Sequence, residues 1–465
     1  MLFSSITFLY YFLPLTGLVY FLAPRRMKNA VLLLCSLFFY AWGEPKYVLL
    51  MAVSIISGYI FGLLIEKYRS QRAGQVLCGI SVAVSLSFLL YFKYAGFFVN
   101  NFRAVTGWDI PVLQIALPIG ISFYTFQIIS YTVDVYRGDA AQKNLVSLAA
   151  YIAMFPQLIA GPIVKYSDIA EQLDKRQHSI AMAAEGIRFF IIGLAKKILL
   201  ANQLGELCNV FRASEEKSVL FYWLYALAFV LHIYFDFSGY SDMAVGLGQV
   251  FGFRFVRNFR YPYISTSITE FWRRWHISLG SWFRDYVYIP MGGNRVGRRR
   301  HLFNILVVWI LTGFWHGAAW NFMVWGLLFA VLLMAEKLWL LDVMKKNRVF
   351  SHIYVLFFVV LSFVIFNAND MGQAFSDIGG LFGAGGIEMV SAEALYCLRS
   401  FAIVLLIGCI GATPLVSKVF GWAMRQPLCS KVLNVAEPIA LAILLLVMTA
   451  YLVDGSFNPF LYFRF

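Results

Sequence analysis

The sequence predicts an all-α polytopic membrane protein, and three observations support this fold class. Of 465 residues, 61% are hydrophobic and only 13% are charged, which is more apolar and less charged than a typical soluble domain. Apolar windows of about 20 residues, each long enough to cross a bilayer core, recur from end to end. Basic residues stand in short clusters between these windows. We therefore predict about eleven to thirteen membrane-spanning helices in a single domain over residues 1–465.

The net charge of +14 is explained by the basic residues that flank membrane spans. Membrane lipid is therefore an expected partner, and nucleic acid is not. Basic clusters follow the first predicted span, at Arg25, Arg26 and Lys28, and the third, at residues 66–72. The positive-inside rule puts these loops in the cytoplasm and the N-terminus outside. The first apolar run, residues 6–23, is expected to be retained as a span, because it has no preceding basic stretch and no small-residue cleavage site.

Several apolar segments carry polar side chains that require partners. Gln127, Ser130 and Asp134 are spaced to share one helix face, which should turn toward protein. Residues 155–162 contain two prolines and a glycine, which indicates a buried or re-entrant turn. His232 and Asp236 are four residues apart, and a structural pair is favoured over a chemical role.

Two consecutive segments differ from the rest of the chain. Residues 254–300 mix tryptophans and arginines, and no stretch of them is apolar enough to span alone, so interfacial or re-entrant helices on the cytoplasmic side are predicted. Residues 304–321 form an apolar run with His316 near its far end, followed by a turn and a return span over 322–338. Basic residues flank this hairpin on both sides, which places its two ends in the cytoplasm and His316 toward the outer half.

An ionisable side chain inside a membrane segment is costly, so His316 is a functional-site hypothesis. A neutral histidine can accept a proton near physiological pH. These features alone leave catalysis, proton relay and ion gating open. Six cysteines stand singly without CxxC spacing and are interpreted as small hydrophobic residues, so no metal site is predicted.

Five motifs together resemble the membrane-bound O-acyltransferase family. Within it, the bacterial alginate O-acetyltransferase type is the nearest match, and the D-alanyl transferases of teichoic acids are more distant. The resemblance covers about residues 1–370 and weakens beyond them. The motifs are LPIGISFY at 117–124, FPQLIAGP at 155–162, FDFSGYSD at 235–242, FWRRWHISL at 271–279 and TGFWHG at 312–317.

The resemblance implies helices around a central pore or funnel and a transferase that moves an acyl group, with acetyl expected, from a cytoplasmic donor to a hydroxyl outside. By motif position, His316 corresponds to the family's essential histidine and His276 to its second histidine. The donor implied is a thioester, acetyl coenzyme A or an acyl carrier protein, with no bound cofactor. Further candidates for the oxyanion or the donor are Trp315, Trp320, Asn321, Arg273, Arg274 and Trp275.

The resemblance also implies a setting and a partner. The setting is the bacterial cytoplasmic membrane, and the partner is an extracytoplasmic protein of the serine-hydrolase type that completes transfer to the polymer. A rival hypothesis is a proton-coupled transporter or flippase in which His316, Asp236 and Asp242 relay protons. No internal repeat of the kind found in many transporters is evident in the sequence.

Overall fold

The computed structural model describes residues 1–111, 115–159, 161–455 and 460–461, and these contain helices and no β-strand. Within them, seven helices are long and apolar enough to cross a membrane. Two shorter apolar helices are Phe8–Leu22 and Leu415–Met424. The predicted all-α polytopic fold class is confirmed. The seven candidate spans are Pro45–Tyr68, Arg72–Thr106, Val219–Val250, Trp320–Met344, Arg348–Asn367, Ala392–Gly411 and Pro427–Asp454.

The number of candidate spans is lower than the predicted eleven to thirteen. Several apolar stretches are shorter as helices, or more polar, than the sequence windows indicate. Helix Ile121–Arg137 has only 17 residues and buries polar side chains. Helix Arg298–His316 has 19 residues but begins with three arginines. Neither therefore qualifies by length and hydropathy together.

The chain divides into two compact units, residues 1–190 with 241–256 and residues 191–240 with 257–465. The single domain over residues 1–465 stays a prediction. In the first unit, α3 and α4 pack against each other and against α6. The helices that lie in or begin in it are α1 Leu13–Leu22, α2 Lys28–Gly43, α3 Val48–Tyr68, α4 Arg72–Leu89, α5 Ala95–Thr106, α6 Ile121–Arg137, α7 Leu145–Ala153, α8 Phe155–Leu158, α9 Tyr166–Lys175 and α10 Ile180–Ala195.

Polar side chains of α6 face protein, as their spacing predicts. Gln127, Ser130 and Asp134 are all buried. The proline-containing turn predicted over residues 155–162 is also buried where it is described, with the short helix α8 at its start; residue 160 lies outside the described residues.

The second unit carries both histidines singled out by the motifs. Its long α12 extends from this unit into the first. Helices α13 and α14 have only seven residues each, which agrees with the prediction that residues 254–300 do not span alone. The remaining helices are α11 Asn202–Ala213, α12 Val219–Val250, α13 Ile268–Arg274, α14 Ile277–Phe283, α15 Arg298–His316, α16 Trp320–Ala335, α17 Leu341–Met344, α18 Arg348–Asn367, α19 Met371–Leu381, α20 Ala392–Gly411, α21 Leu415–Met424 and α22 Pro427–Asp454. Short 3-10 or π-helical segments are Phe8–Phe12, Arg25–Met27, Pro45–Tyr47, Leu90–Tyr94, Lys196–Ala201, Pro262–Ile264, Arg284–Tyr288 and Glu336–Leu340.

Helices α15 and α16 form the predicted hairpin, and two glycines allow their backbones to touch. A Cβ atom added at Gly313 would lie 2.4 Å from the Phe322 carbonyl oxygen. One added at Gly326 would lie 2.4 Å from the Trp309 carbonyl oxygen. Small residues at such crossings are the usual means of close helix packing in membranes. Because Gly313 and Gly326 have no side chains, α15 packs directly against α16. This packing positions the end of α15, where His316 lies.

Replacing Gly326 with alanine is expected to destabilise the protein by roughly 1–3 kcal/mol, because the added methyl group overlaps backbone that cannot move aside easily. Thermal unfolding of the detergent-solubilised protein measures this as a lower melting temperature. Gly421→Ala is the matched control, since a Cβ atom at Gly421 meets nothing within 4 Å. Equal melting temperatures for the two variants would contradict the close crossing.

Candidate active site

Helix α13 is anchored at its N-terminus by two capping interactions. The Ser267 hydroxyl accepts a hydrogen bond from the Glu270 N–H at 3.0 Å. The buried Glu336 carboxylate accepts from the N–H groups of Ile268 and Thr269, at 2.6 and 2.9 Å. Free N–H groups and the helix dipole both favour a carboxylate at this end. The caps fix α13 and hence the segment that follows it.

His276 lies between α13 and α14 in a left-handed backbone conformation, with φ 43° and ψ 53°. Residues other than glycine rarely adopt this conformation, and it persists only where the surrounding structure enforces it. The side chain is buried. The left-handed turn breaks the helix between Arg274 and Ile277 and directs the imidazole into the protein.

Asn258 defines which imidazole nitrogen of His276 carries the hydrogen. The Asn258 amide oxygen accepts from the Ser278 N–H at 3.1 Å, so it is an acceptor. His276 Nδ1 lies 3.2 Å from the same oxygen and must therefore donate to it. In a neutral imidazole this leaves Nε2 as the acceptor. Burial lowers the pKa of His276, which lies outside the seven candidate spans, to about 3, so the ring is neutral at physiological pH.

Replacing Asn258 with aspartate is expected to move the acid limb of the pH–rate profile to higher pH. A carboxylate beside Nδ1 stabilises the imidazolium and raises the pKa of His276. The neutral imidazole of His276 is then lost at a higher pH than in the wild-type protein. The measurement is the rate of the catalysed reaction against pH. Ser278→Ala adds no charge and should leave the acid limb in place, whereas an unmoved limb in Asn258→Asp would contradict a functional His276.

A cavity of about 610 Å³ opens beside His276. It is lined mainly by apolar residues of α13, α14, α15 and α16, and it also contacts Arg273, Arg284 and Thr312. Its size is in the range of small-molecule sites. Thr312 is one helical turn before His316, so both project from the same side of α15. In the part of the chain that the structure describes, no three His, Cys, Asp or Glu side chains are grouped to hold a metal ion.

His316 is buried at the end of α15 among aromatic rings. The ring centroids of Trp315, Trp325 and Phe366 lie 4.9, 5.0 and 5.3 Å from the centroid of its imidazole. All three rings meet the imidazole at steep angles. They hold the imidazole in a defined orientation within an apolar setting.

Trp315 contacts both histidines. Its ring centroid lies 6.1 Å from that of His276 and 4.9 Å from that of His316. The two imidazole centroids are therefore no further apart than the sum of these two distances. The structure thus brings together two histidines that are 40 positions apart in the sequence.

The three residues predicted to bind the donor have different surroundings. Arg273 is exposed and lines the cavity. Arg274 instead pairs with Glu270 at 2.8 Å and donates to the Arg260 carbonyl. Trp275 is buried in the aromatic core, with Phe259 and Phe271 among its neighbours. Of the three, only Arg273 is placed to meet a ligand in the cavity.

The oxyanion candidates are also separated by the structure. The Asn321 amide donates to the Ala368 carbonyl at 2.8 Å and so holds the start of α16 against the end of α18. Trp320 is exposed. Trp315 is buried and contacts both histidines. The geometry gives Asn321 a structural role, and Trp315 is the one of the three beside both histidines.

Two residues of the site lie outside the set predicted from sequence. Asn258 is 18 positions before His276 and precedes α13, so no helical spacing connects them. Arg284 lines the cavity from the π-helical segment after α14, where its Nε donates to Asp285 at 2.7 Å. The many arginines of residues 254–300 indicate that this region could bind an anionic ligand, but nothing in the sequence distinguishes Arg284 from its neighbours.

Comparison with known proteins identifies the family. Residues 129–370 match the model of the membrane-bound O-acyltransferase family, a range that contains Asn258, His276 and His316. A probable alginate O-acetylase of Azotobacter vinelandii is 38% identical over the whole length of both chains. The chain belongs to the membrane-bound O-acyltransferase family. It is therefore a multi-pass membrane protein and an acyltransferase.

Two less similar relatives are named for other polymers. The peptidoglycan O-acetyltransferase of Helicobacter pylori is 32% identical over 85% of this chain and 82% of its own length. The teichoic acid D-alanyltransferase of Bacillus subtilis is 28% identical over 60% of this chain and 71% of its own length. These relatives, by their names, share acyl transfer and differ in acyl group and acceptor.

Proposed function

We propose that this membrane-bound O-acyltransferase moves an acetyl group from a cytoplasmic thioester donor to hydroxyl groups of an extracytoplasmic polysaccharide, in the bacterial cytoplasmic membrane. The observation that supports it best is that two buried histidines, His276 and His316, both contact Trp315, and that His276 lines a cavity of ligand size. The alginate and peptidoglycan O-acetyltransferases among the relatives support acetyl as the group and polysaccharide as the acceptor.

The proposed reaction needs a base and a route for one proton. The acceptor oxygen attacks the thioester carbonyl carbon, and His316 accepts the hydroxyl proton as the new C–O bond forms. The C–S bond then breaks, and the thiolate leaves and takes up a proton. The products are an O-acetyl ester and a free thiol. His276, with its Nε2 as an acceptor, lies at the cavity that would receive the thioester arm.

The donor in this proposal is acetyl coenzyme A or an acyl carrier protein. The mainly apolar lining of the cavity suits an acyl thioester, and Arg273 and Arg284 at its boundary suit the phosphate groups of either donor. The acceptor can be reached by two routes. His316 activates the polymer hydroxyl directly, or the acetyl group passes first to the serine of an extracytoplasmic serine-hydrolase-type partner.

The test uses the cell-surface polysaccharide of cells with and without this protein. Mass spectrometry is expected to find O-acetyl esters that disappear in the deletion strain and return with the wild-type chain. Inverted membrane vesicles supplied with labelled acetyl coenzyme A, or with a loaded carrier protein, then identify the donor by which label reaches the polymer.

Unchanged O-acetylation in the deletion strain would overturn the proposal. A polymer that is exported less, but has a normal acetyl content per sugar, would support the transporter or flippase hypothesis instead. Transfer of label by the purified chain alone would establish the direct route, and transfer only after addition of the serine-hydrolase-type partner would establish the relay.

A further inference from the structure

Three basic side chains converge on one buried tyrosine at the end of α1. The Lys28 amine donates to the main-chain oxygen of Tyr20 at 2.9 Å and lies 4.3 Å from the centre of its ring. Arg176 Nε donates to the Tyr20 hydroxyl at 2.8 Å, and His178 Nε2 lies 2.8 Å from the same oxygen. This hydroxyl donates its hydrogen to the Phe251 carbonyl at 2.9 Å, so His178 Nε2 must donate to it.

The basic side chains of this cluster have no direct acidic partner among the described residues. Among the described residues, Arg25, Lys28 and Arg176 form no ion pair with a carboxylate. Partial burial lowers the pKa of His178, and the nearby charges of Lys28, Arg176 and Arg25 lower it further. Arg176 also has one buried Nη2 atom without an acceptor. An anion at this surface would neutralise charges that have no ion-pair partner among the described residues.

An apolar groove of about 580 Å³ runs along α1 and α2. On α1 its last lining residue is Val19, which directly precedes Tyr20 in the sequence. On α2, the lining residue Leu34 is six positions from Lys28, about 9 Å along the helix. The end of the groove at Val19 and Leu34 is therefore the end nearer to the basic cluster. Its apolar lining includes Leu15, Val19, Leu34, Phe38 and Trp42.

We propose that the end of α1 and the beginning of α2 bind an anionic phospholipid. Its phosphate lies against Lys28, Arg176 and His178, and one of its acyl chains lies in the groove between the two helices. The loop that carries Arg25 and Lys28 is on the predicted cytoplasmic side, and basic pockets at this level of a membrane protein are typical binding places for anionic headgroups. This inference is independent of the acyl-transfer reaction.

The two parts of the site together select this ligand over others. A soluble anion such as inorganic phosphate would use the basic cluster but not the groove. A zwitterionic lipid would fill the groove, but its own cationic group would oppose the cluster. An anionic phospholipid can use both parts, because one molecule carries both the phosphate and the acyl chain.

Native mass spectrometry of the full-length protein, released from detergent, tests the proposal with two lipids. Phosphatidylglycerol and phosphatidylcholine with the same acyl chains are titrated separately, and the fraction of protein carrying one lipid is measured. We expect the wild-type protein to retain phosphatidylglycerol at lower lipid concentrations. Removing one cation should weaken this binding about five-fold, and removing two should weaken it roughly thirty-fold.

The variants separate the headgroup contacts from the groove. Lys28→Gln alone and Lys28→Gln/Arg176→Gln remove charge, and Val19→Trp fills the groove without changing charge. Lys346→Gln/Arg348→Gln removes two exposed cations from another predicted cytoplasmic loop and serves as the matched control. Because Arg176 also holds Tyr20, the single Lys28→Gln variant keeps the test valid if the double variant does not fold.

Three outcomes would overturn the proposal. The first is equal retention of phosphatidylcholine and phosphatidylglycerol by the wild-type protein. The second is wild-type retention of phosphatidylglycerol by a folded Lys28→Gln variant, or an equal loss in the control. The third is displacement of phosphatidylglycerol by inorganic phosphate at similar concentrations, which would indicate a site for soluble anions. Loss of binding in Val19→Trp would support the acyl-chain position.

Discussion

Replacing His316 with glutamine is expected to lower the rate of acyl transfer by about 10²- to 10⁴-fold, the usual contribution of a general base. Glutamine fills much of the same volume but cannot accept a proton at physiological pH. The aromatic rings of Trp315, Trp325 and Phe366 would still enclose the side chain. Folding should therefore be retained while the reaction is lost. The measurement is O-acetyl incorporation per amount of folded protein in the membrane.

A second histidine on the same helix provides the matched control. His301 is in the first turn of α15 and does not line the cavity beside His276. His301→Gln should therefore transfer acetyl groups at close to the wild-type rate. If His316→Gln retained full activity, or if both variants lost activity equally, the role proposed for His316 would have to be abandoned.

The sequence located the two histidines but could not describe how they are held. His316 stands out because an ionisable group in an apolar run is costly, and that argument needs no tertiary structure. Its nearness to His276 depends on the hairpin of α15 and α16 and on the turn after α13, which are long-range features. Asn258 is held next to His276 by the fold and by no sequence spacing, so its effect on the tautomer could be inferred only from the structure.

Two neighbouring arginines also show what the sequence alone cannot predict. Arg273 and Arg274 are adjacent in sequence and both suit an anionic donor by residue type. On a seven-residue helix they project in directions about 100° apart. One lines the cavity, and the other is bound to Glu270. The sequence therefore predicts that arginine is the kind of residue found here. Which of the two arginines lines the cavity depends on how α13 is oriented about its own axis, and only the structure shows this.

Asp236 illustrates how spacing within a helix can indicate the wrong partner. The sequence places His232 one turn away, yet the ion pair seen for Asp236 is with Lys197, from the π-helical segment Lys196–Ala201. His232 Nδ1 lies 2.6 Å from the Ala201 carbonyl oxygen. The other carboxylate oxygen of Asp236, Oδ2, accepts a hydrogen bond from the Leu461 N–H at 2.8 Å. Lys197, a cation from a neighbouring segment, neutralises the Asp236 carboxylate, while His232 lies against the Ala201 carbonyl.

Replacing Lys197 with methionine is expected to destabilise the protein by about 3–5 kcal/mol, because it leaves the Asp236 carboxylate buried without its counter-charge. Both side chains of the pair are almost fully buried, at 2% and 1% exposure. Asp236→Leu should be similarly harmful, since it leaves the Lys197 ammonium alone. The measurement is the melting temperature of the purified protein, together with the fraction that remains monodisperse after heating.

The double variant Lys197→Met/Asp236→Leu distinguishes a structural pair from a functional one. Removing both charges removes the desolvation penalty together with the attraction, so stability should return close to the wild-type value. If the pair only supports the fold, acyl transfer should return with it. A double variant that is stable but inactive would instead assign the ion pair a part in the reaction. A double variant that is as unstable as the single variants would mean that the Leu461 contact or local packing contributes more to stability than the charges do. The double-mutant cycle therefore decides between two roles for Asp236: a structural ion pair, which the geometry favours, and a proton relay, which is the rival hypothesis from the sequence.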